Sequence, residues 1–502
     1  MDLTKSRYCK GIQCPKMLWM DANMPERFDQ SVLNKAILET GRTVGDLAMG
    51  YFGHFTEVPF SRSKAKMIAD TRRLLDTNTS VIVEGGFSFE GNFCITDILR
   101  VVQDGYELIE VKSSTHSESA GPEKVKPIYF DDLAYQTYIL ANCGLKIKNA
   151  YIMQLNRDYV KFGNLDIQKL FVLTDCSAQV FAMQHDIPAN IKDIRDVAGQ
   201  PNEPDTAIGS RCDNPYECGY KKWCFRDMPH NNVFEIGWSM IGRKKDEAYN
   251  AGLVTFEDVL NSGFKLSDKQ VRQIATATQN LPPHIDTEAI KAFLSRIKYP
   301  LYYLDFETCQ QAIPLWDYVS PYEQIPFQYS LHIQNAQGGE VSHREFLGEE
   351  GADPRRQLAE KLCMDIPIGV CVLAFNMSFE KGCIMALAQL FPDLTEHLMS
   401  IHGQIIDLAE PFQTGAYYCR EMGGSYSIKA VLPALCPDDP SLDYHALNIV
   451  HNGTEAMEAY ANLHKKSPEV IAETRAALLA YCKLDTLAMA KVLEKLYNSA
   501  QK

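Results

Sequence analysis

The sequence predicts an α/β protein built from two α/β domains joined by a short helical connector. The chain has 502 residues, and because domains hold roughly 100–200 residues each, one hydrophobic core cannot serve all of it. Strand-like and helical patterns alternate up to residue 230, where a cysteine-rich turn segment ends the first pattern. A second alternation begins at Tyr302 with an apolar run typical of a buried strand.

We therefore expect one α/β domain over residues 1–230, a connector over 231–298 and a second α/β domain over 299–502. In the connector, apolar residues recur three or four positions apart between glycines and prolines, which predicts short helices. In the last domain, strands are predicted for YPLYYLDFET, FQYSLHIQ, REFLGE and VCVLAF. The segment LLAYCKLDTLAMAKVLEKL predicts a long amphipathic helix near the end of the chain.

Composition and charge narrow the class of protein. With 46% hydrophobic and 23% charged residues, the chain is not disordered overall. A net charge of −14 argues against a histone-like protein that coats nucleic acid. The start lacks the apolar core of a signal peptide, and no apolar run reaches about 18 residues, so we expect a cytoplasmic protein without a membrane segment. Clustered cysteines among the 15 are then candidate metal or cluster ligands.

The first candidate site lies in CITDILRVVQDGYELIEVKSS, which predicts a β-hairpin turning at Asp104-Gly105. Counting outward from that turn places Leu99 opposite Glu110 and Asp97 opposite Lys112. Asp97, Glu110 and Lys112 then emerge on one face. Paired carboxylates can hold a divalent cation, which polarises a phosphodiester, while a lysine stabilises the developing charge. An ordinary surface ion pair is the alternative.

This pattern resembles the PD-(D/E)XK nuclease core, with Asp97 as the first acid and Glu110-Val-Lys112 as the (D/E)XK element. The resemblance implies that these residues are catalytic and that the two acids bind a metal ion. It also implies that Gln136, in DDLAYQTYILANC, is the glutamine of RecB-like enzymes. Those enzymes usually have an early metal-binding histidine, where this chain has Asp46. Either Asp46 or Glu84 completes the site, or the site is altered.

Four cysteines form the second candidate site. Cys212, Cys218 and Cys224 follow one another with five residues between each pair, so a fourth ligand must come from elsewhere. Cys14, in GIQCPKMLW, is the best donor, and Cys9 is a possible substitute. The set resembles that of CRISPR-associated and RecB-like nucleases, which implies a [4Fe-4S] cluster. Four thiolates also suit Zn²⁺, and purely structural cysteines are the third alternative.

The third candidate site gathers residues from three distant segments. Asp305 and Glu307 point to one face of a predicted strand, and such acids are costly to bury without a cation. Glu380 lies at a predicted helix start after a second buried run, and Tyr481 and Asp485 share one face of the C-terminal helix. Four acids and a tyrosine can surround two divalent ions. Taken singly, each acid is also compatible with a solvated strand or helix end.

These three motifs resemble those of the DEDDy group of 3′→5′ exonucleases, which have a ribonuclease H-like fold. Asp305-x-Glu307 matches the first motif, Asn376-x-x-Phe379-Glu380 the second and Tyr481-x-x-x-Asp485 the third. The resemblance implies that the four acids bind Mg²⁺ or Mn²⁺ and that Tyr481 positions the nucleophilic water. The second motif normally ends in aspartate, and Glu380 is one methylene longer.

The order of the motifs resembles an uncharacterised family of predicted nucleases. In that family a RecB- or Cas-type PD-(D/E)XK domain with iron–sulfur cysteines precedes a ribonuclease H-like DEDDy domain of unknown function. The resemblance implies a metal-dependent nuclease that hydrolyses DNA rather than RNA, mainly as an exonuclease, in repair, recombination or defence. Two alternatives stay open. Either only the C-terminal site cuts DNA or RNA while the N-terminal half binds the strand, or the chain is a non-catalytic nucleic-acid-binding scaffold.

Overall fold

A computed structural model describes residues 2–501, and at positions 441 and 445 the backbone alone. It is an α/β protein, which confirms the predicted fold class. The chain divides into two compact units, unit 1 (residues up to 228, with 311–322) and unit 2 (229–310, with 323 onwards). Within the described residues, no helix combines the length and the apolar character that crossing a bilayer requires.

Unit 1 is built on a mixed sheet in the order β2-β3-β4-β5-β6-β7, with β1 beside β4. The central strands β3, β4 and β5 are antiparallel, whereas β5 and β6 are parallel. The strands are β1 (Leu3–Thr4), β2 (Thr56–Glu57), β3 (Val81–Phe89), β4 (Asn92–Val102), β5 (Gly105–His116), β6 (Ile147–Asn156) and β7 (Phe171–Asp175).

Helices cover the sheet of unit 1. They are α1 (Lys5–Gln13), α2 (Lys16–Asn23), α3 (Lys35–Met49), α4 (Lys64–Asp76), α5 (Pro127–Asn142), α6 (Ile167–Leu170), α7 (Ser177–Ala182), α8 (Ile187–Ala198) and α9 (Lys221–Cys224). Helix α5, most of whose residues are buried, begins with Pro127, whose fixed φ suits the first helical position. Leu133 and Leu140 of α5 pack against Leu99 and Leu108 of the central strands, which fixes the helix over that face.

Unit 2 contains a sheet in the order β11-β10-β9-β12-β13, in which β9 pairs antiparallel with β10 and parallel with β12. A separate short ribbon pairs β8 with β14. The strands are β8 (His284–Ile285), β9 (Leu301–Cys309), β10 (Ile325–Gln334), β11 (Val341–Leu347), β12 (Cys371–Ala374), β13 (Ile405–Asp407) and β14 (Tyr417–Tyr418). Strands β9 to β12 overlap the four predicted strand segments.

Helices of unit 2 lie on both faces of its larger sheet, and the first three helices form a separate apolar cluster. The helices are α10 (Gly242–Asn250), α11 (Phe256–Asn261), α12 (Asp268–Thr278), α13 (Thr287–Leu294), α14 (Arg355–Asp365), α15 (Ser378–Leu390), α16 (Thr395–Gln404), α17 (Glu410–Gln413), α18 (Ile428–Leu435), α19 (Gly453–Ala461) and α20 (Pro468–Ala500). Ser467 caps α20 by accepting from the amide of Val470. Leu304 and Phe306 of β9 pack among α14, α15 and α16, so that Asp305 and Glu307 face the other side.

Residues 229–298 form part of unit 2 instead of standing apart as a connector. The Trp238 amide donates to the carbonyl of Gly424 at 3.0 Å, and its ring lies 5.7 Å from that of Tyr418. Arg272 donates to the carbonyl of Gly415 at 2.7 Å. Sequence patterns show helices but not the surface they pack against, so periodicity alone did not indicate this attachment.

Residues 311–322, which follow β9, belong to unit 1. Lys161 forms an ion pair with Asp317 at 2.7 Å. The backbone of Lys161 also bonds to this segment. The Tyr318 amide donates to the Lys161 carbonyl at 2.7 Å, and the Lys161 amide donates to the Val319 carbonyl at 3.0 Å. The second domain is therefore not one continuous stretch from residue 299.

A histidine pair, His332 buried and His343 partly buried, lies between β10, β11 and α20. The rings of His332 and His343 are 4.6 Å apart, and His332 Nδ1 lies 2.7 Å from the hydroxyl of Thr486. Burial lowers the pKa of each imidazole to about 4, and the neighbouring positive charge of Lys483 adds to the shift.

We expect this histidine pair to make unit 2 acid-sensitive. In the unfolded chain the imidazoles take up protons below about pH 6.5, whereas in the folded chain they resist protonation down to about pH 4. The free energy of unfolding therefore falls as the pH falls through this window, by about 2 kcal/mol per histidine between pH 7 and pH 5. Thermal unfolding of wild type and of His332→Asn/His343→Gln at both pH values measures the difference, and equal pH dependence would contradict the prediction.

Candidate metal centres

The structure brings the first predicted group of residues together on one face of the unit 1 sheet. Glu110 accepts hydrogen bonds from Lys112 Nζ at 2.8 Å and from Gln136 Nε2 at 2.7 Å. The Asp97 carboxylate accepts from the Val111 amide at 2.7 Å. The hairpin and helix α5 thus bring the predicted residues Asp97, Glu110, Lys112 and Gln136 together.

The predicted register of the hairpin is wrong by two residues. Leu99 lies opposite Leu108, not Glu110, and Asp97 does not pair with Lys112 because the strands turn before Gly105. Asp104 takes the left-handed φ of 61° in that turn. Since side chains alternate with a period of two, a shift of two residues keeps each side chain on its predicted face.

Two further charged residues complete this cluster, and sequence reasoning missed both. Asp132 accepts from Lys112 Nζ at 2.5 Å and from Gln136 Nε2 at 3.1 Å. Its position four residues before Gln136 on α5 was a signal that could have found it. Lys5, at the start of α1, donates to Glu110 at 2.8 Å, and nothing in its sequence context indicated this.

The acids of this cluster differ in electrostatic state. Burial opposes ionisation of Glu110, but the ammonium groups of Lys112 and Lys5 outweigh it and hold the pKa of this carboxyl well below its usual range. Burial, and then the charge of Glu110, raises the pKa of Asp97 to about 7. The cluster is therefore already neutralised in large part by its own lysines.

The two residues proposed to replace the missing histidine lie near this cluster. Burial raises the pKa of Glu84; the charge of Lys5 opposes this shift, and the charges of Glu57, Glu110 and Asp46 add to it. Glu84 also has a left-handed φ of 57°. Among the described contacts, neither Glu84 nor Asp46 hydrogen-bonds to Glu110, Lys112 or Gln136.

The four predicted cysteines line one pocket in unit 1, beside apolar and aromatic side chains. Cys212 and Cys218 are buried, at 9% and 7% exposure, and the Cys218 amide donates to the Cys212 carbonyl at 2.8 Å. Cys14 follows the last residue of α1 and reaches the same pocket as Cys224. Cys9 instead packs against the main core of unit 1, so the structure favours Cys14 as the fourth thiol.

The third predicted group also converges, in unit 2. Candidate ligand atoms of Asp305, Glu307 and Cys482 all lie within 4.8 Å of one another. Asp305 and Glu307 line an open pocket together with Glu380, which lies in the first turn of α15. Glu380 is 2% exposed, and among the described residues its Oε2 atom has no hydrogen-bond partner.

The long helix α20 supplies the remaining members of this acidic group. Asp485 is 7% exposed and Tyr481 3% exposed. Tyr444, which sequence reasoning missed, donates from its hydroxyl to Asp485 Oδ1 at 2.5 Å. Lys429, also missed, lies 5.6 Å above the Tyr444 ring and 5.5 Å above the Tyr481 ring. Lys429 lies in α18 and Tyr444 in a short turn that follows it, and the spacing of neither residue marked it as a member of this group.

Electrostatics distinguish this group from the cluster in unit 1. Burial and then the charges of Asp485, Glu307 and Glu380 raise the pKa of Asp305 well above its usual value. Burial, with the charge of Asp485, raises the pKa of Glu307 to about 8. Burial also raises that of Glu380 to about 8. Within the described residues, no lysine or arginine nitrogen lies within 4.0 Å of these four carboxylates, so their ionised form has no ion-paired partner and a bound divalent cation would stabilise it.

The fold and these sites define an α/β protein with two separate clusters of buried carboxylates and one cluster of cysteines. Residues 302–427 match the model of a protein family described as a domain of unknown function, DUF2779. The matched stretch includes Asp305, Glu307 and Glu380 but ends before Tyr481 and Asp485. No curated protein and no solved structure matches the chain.

Proposed function

We propose that the protein is a metal-dependent nuclease that hydrolyses phosphodiester bonds of DNA, with its principal active site in unit 2. The observation that carries the proposal is the gathering of Asp305, Glu307, Glu380 and Asp485 with no direct ion pair to a lysine or arginine among the described residues. Four carboxylates that share one site need positive charge, and oxygen ligands suit Mg²⁺ and Mn²⁺. The resemblance of the three motifs to DEDDy exonucleases supports the same assignment.

The side chains of unit 2 suit the chemistry of phosphodiester cleavage. When bound, a pair of divalent ions activates the attacking water and stabilises the leaving oxygen. Asp305, Glu307, Glu380 and Asp485 would hold these ions, and the Tyr444 hydroxyl fixes the orientation of Asp485. Tyr481 is available to orient the water, as the resemblance implies. The pocket is open, and Asn376 and Phe379 line it together with the acids, so a strand would have access to them.

The one-methylene difference at Glu380 does not move this carboxylate away from the others. Its charge raises the pKa of Asp305, and both side chains line the same pocket. The longer side chain starts from the first turn of α15 and remains almost wholly buried. Glutamate at this position is therefore compatible with a four-carboxylate site.

A nuclease assay tests the proposal. Labelled single- and double-stranded DNA and RNA are incubated with the full chain and Mg²⁺ or Mn²⁺, and products are resolved on denaturing gels. We expect shortening of DNA that stops when a chelator removes the metal. A wild-type chain that leaves all four substrates intact with either metal would instead favour a non-catalytic nucleic-acid-binding scaffold.

We further propose that Cys14, Cys212, Cys218 and Cys224 hold a [4Fe-4S] cluster that fastens the start of unit 1 to its end. The four thiols share one pocket, and burial raises the pKa of Cys218 to about 11, with the other three thiols adding to the shift. Thiolate ligands meet the requirement of such a cluster. Gln13 strengthens the junction by donating to the carbonyls of Arg211 at 2.8 Å and Tyr216 at 2.7 Å.

Cys218→Ser is expected to lose most of the bound iron and the visible absorbance of an anaerobic preparation. A serine oxygen is a poorer ligand for iron than a thiolate, and the loss removes the link between both ends of unit 1. Metal analysis and the visible spectrum measure the change. Cys143→Ser is the matched control, because Cys143 lies at the end of α5, outside the pocket. A colourless wild type that carries zinc would contradict the iron–sulfur assignment.

A further inference from the structure

We propose that Lys5 is a tethered cation that occupies the place of a divalent ion in the acidic cluster of unit 1. A metal ion then enters that cluster only when the Lys5 ammonium leaves it. This inference rests on the proposed function, because it concerns the regulation of the second candidate active site. It assigns a role to a residue outside the motifs that predicted the site.

The contacts of Lys5 carry the inference. Its Nζ atom lies 2.8 Å from Glu110 Oε1 and 3.0 Å from Glu110 Oε2. The same atom lies 3.7 Å from Asp97 Oδ1 and 3.9 Å from Asp132 Oδ1. One ammonium group thus faces all three carboxylates of the cluster. Burial disfavours its charge, but the three acids outweigh burial and hold the pKa of Lys5 well above its usual value.

Glu110 has no free position for a metal ion in this arrangement. Its Oε1 atom accepts from Lys5 and from Lys112, both at 2.8 Å. Its Oε2 atom accepts from Lys5 at 3.0 Å and from Gln136 at 2.7 Å. An ion bound by Asp97 and Glu110 would sit about 2 Å from an oxygen of each. That position overlaps the space around the Lys5 nitrogen, and two cations cannot share it.

Lys5 is held in this position by its surroundings. It is the first residue of α1, directly after Thr4, whose side chain caps the helix. The preceding strand pairs with β4, and Tyr8, one turn along, stacks on Tyr135 with ring centroids 4.4 Å apart. A lysine at a helix start opposes the helix dipole, so the acids of the cluster must compensate for its placement. The far end of α1 leads into Cys14 of the cysteine pocket.

Unit 1 as it stands is therefore not a ready metal site. Three carboxylates face two lysines, whereas the unit 2 acids have no such partners among the described residues. The resemblance to PD-(D/E)XK nucleases implies that Asp97 and Glu110 bind metal, and they can do so only with Lys5 displaced. Removing the Lys5 charge is expected to create a metal site that the wild-type chain lacks.

Mn²⁺ binding to the full chain tests the proposal by titration calorimetry. The experiment uses an Asp305→Asn background, which disables the unit 2 site, so that the signal reports unit 1. Lys5→Met is expected to gain one Mn²⁺ site per chain or to tighten binding at least tenfold. Adding Asp97→Asn to Lys5→Met should remove that gain. Lys10→Met, on the same helix and paired with Asp21 at 3.0 Å, should bind no more Mn²⁺ than the background.

Two results would overturn the proposal. One is a Lys5→Met chain that binds no additional Mn²⁺. The other is a background chain that keeps Lys5 yet binds an ion that Asp97→Asn removes. If Lys5→Met does not fold, Lys5→Gln keeps a polar group there, and its thermal midpoint should rise on replacing EDTA with Mn²⁺ while that of Lys5→Arg does not. If replacing EDTA with Mn²⁺ changed the thermal midpoints of Lys5→Gln and Lys5→Arg equally, the proposal would again be overturned. Calorimetry measures binding, so an inert wild type in the nuclease assay would refute the proposed function without altering this outcome.

Discussion

Asp305→Asn is expected to lower the rate of DNA hydrolysis by about a thousandfold or more, which corresponds to about 4 kcal/mol of lost transition-state stabilisation. The side chain lies at the centre of the acidic group, where Asp485, Glu307 and Glu380 all influence its pKa. An amide of the same shape cannot neutralise a divalent ion as a carboxylate does. Initial rates on labelled single-stranded DNA with saturating Mn²⁺ measure the loss.

Two companion variants make this result specific. Asp438→Asn changes an exposed acid in the same unit, so it should retain wild-type activity. Asp97→Asn should cost less than tenfold, because Lys5 already occupies the unit 1 cluster. Normal activity in Asp305→Asn, or equal losses in Asp305→Asn and Asp97→Asn, would contradict the assignment of the principal site to unit 2.

The same substitution should stabilise the metal-free chain. Burial and the neighbouring acids raise the pKa of Asp305, so in the absence of metal the folded chain must either take up a proton there or bury an unpaired charge. An amide removes that cost. An Asp305→Asn chain in EDTA is therefore expected to unfold at a higher temperature than wild type. A loss of activity together with a gain in stability is typical of a functional site whose ligand is absent. Loss of an ordinary structural contact would lower stability instead.

The fold class and the grouping of side chains within one strand or helix could be predicted from the sequence, because both depend on short-range periodic patterns. A period of two placed Asp305 and Glu307 on one face of β9, and a helical spacing placed Tyr481 and Asp485 on one face of α20. In unit 1 the predicted register was wrong by two residues. Because two is one full period of a strand, the side chains still lie on the predicted face of the sheet.

Contacts between side chains from distant segments could not be predicted from the sequence. Lys5 lies 105 positions from Glu110 along the chain, and Tyr444 lies 41 positions from Asp485. Neither residue stands in a periodic pattern, so no local rule marks it. The charge state of each site follows from these distant partners. For that reason two acid clusters that look alike in sequence differ in the structure, one neutralised by lysines and the other not.

Gly237→Ala is expected to destabilise unit 2 by about 3 kcal/mol or more, because overpacking against rigid backbone leaves no relaxation. A Cβ atom at this position would meet the carbonyl oxygen of Gly424 at 2.3 Å and its carbon at 2.7 Å. The neighbouring amide of Trp238 donates to the same carbonyl, so the two backbones cannot separate without losing that bond. For a unit of this size the thermal midpoint should fall by about 6–12 °C.

Gly403→Ala is the control for this prediction, because its added Cβ atom would meet nothing within 4 Å. In the last turn of α16 it should be neutral or stabilising by up to about 1 kcal/mol. Equal midpoints for Gly237→Ala and Gly403→Ala would show that residues 229–298 are not firmly attached. A loss confined to Gly237→Ala should also lower nuclease activity. Gly424 precedes α18 by a few residues, and α18 carries Lys429 beside the rings of Tyr444 and Tyr481. Among the described residues, Lys429 is the only lysine that influences the pKa values of both Glu307 and Asp485. A shift of the junction at Gly424 would therefore also move this lysine.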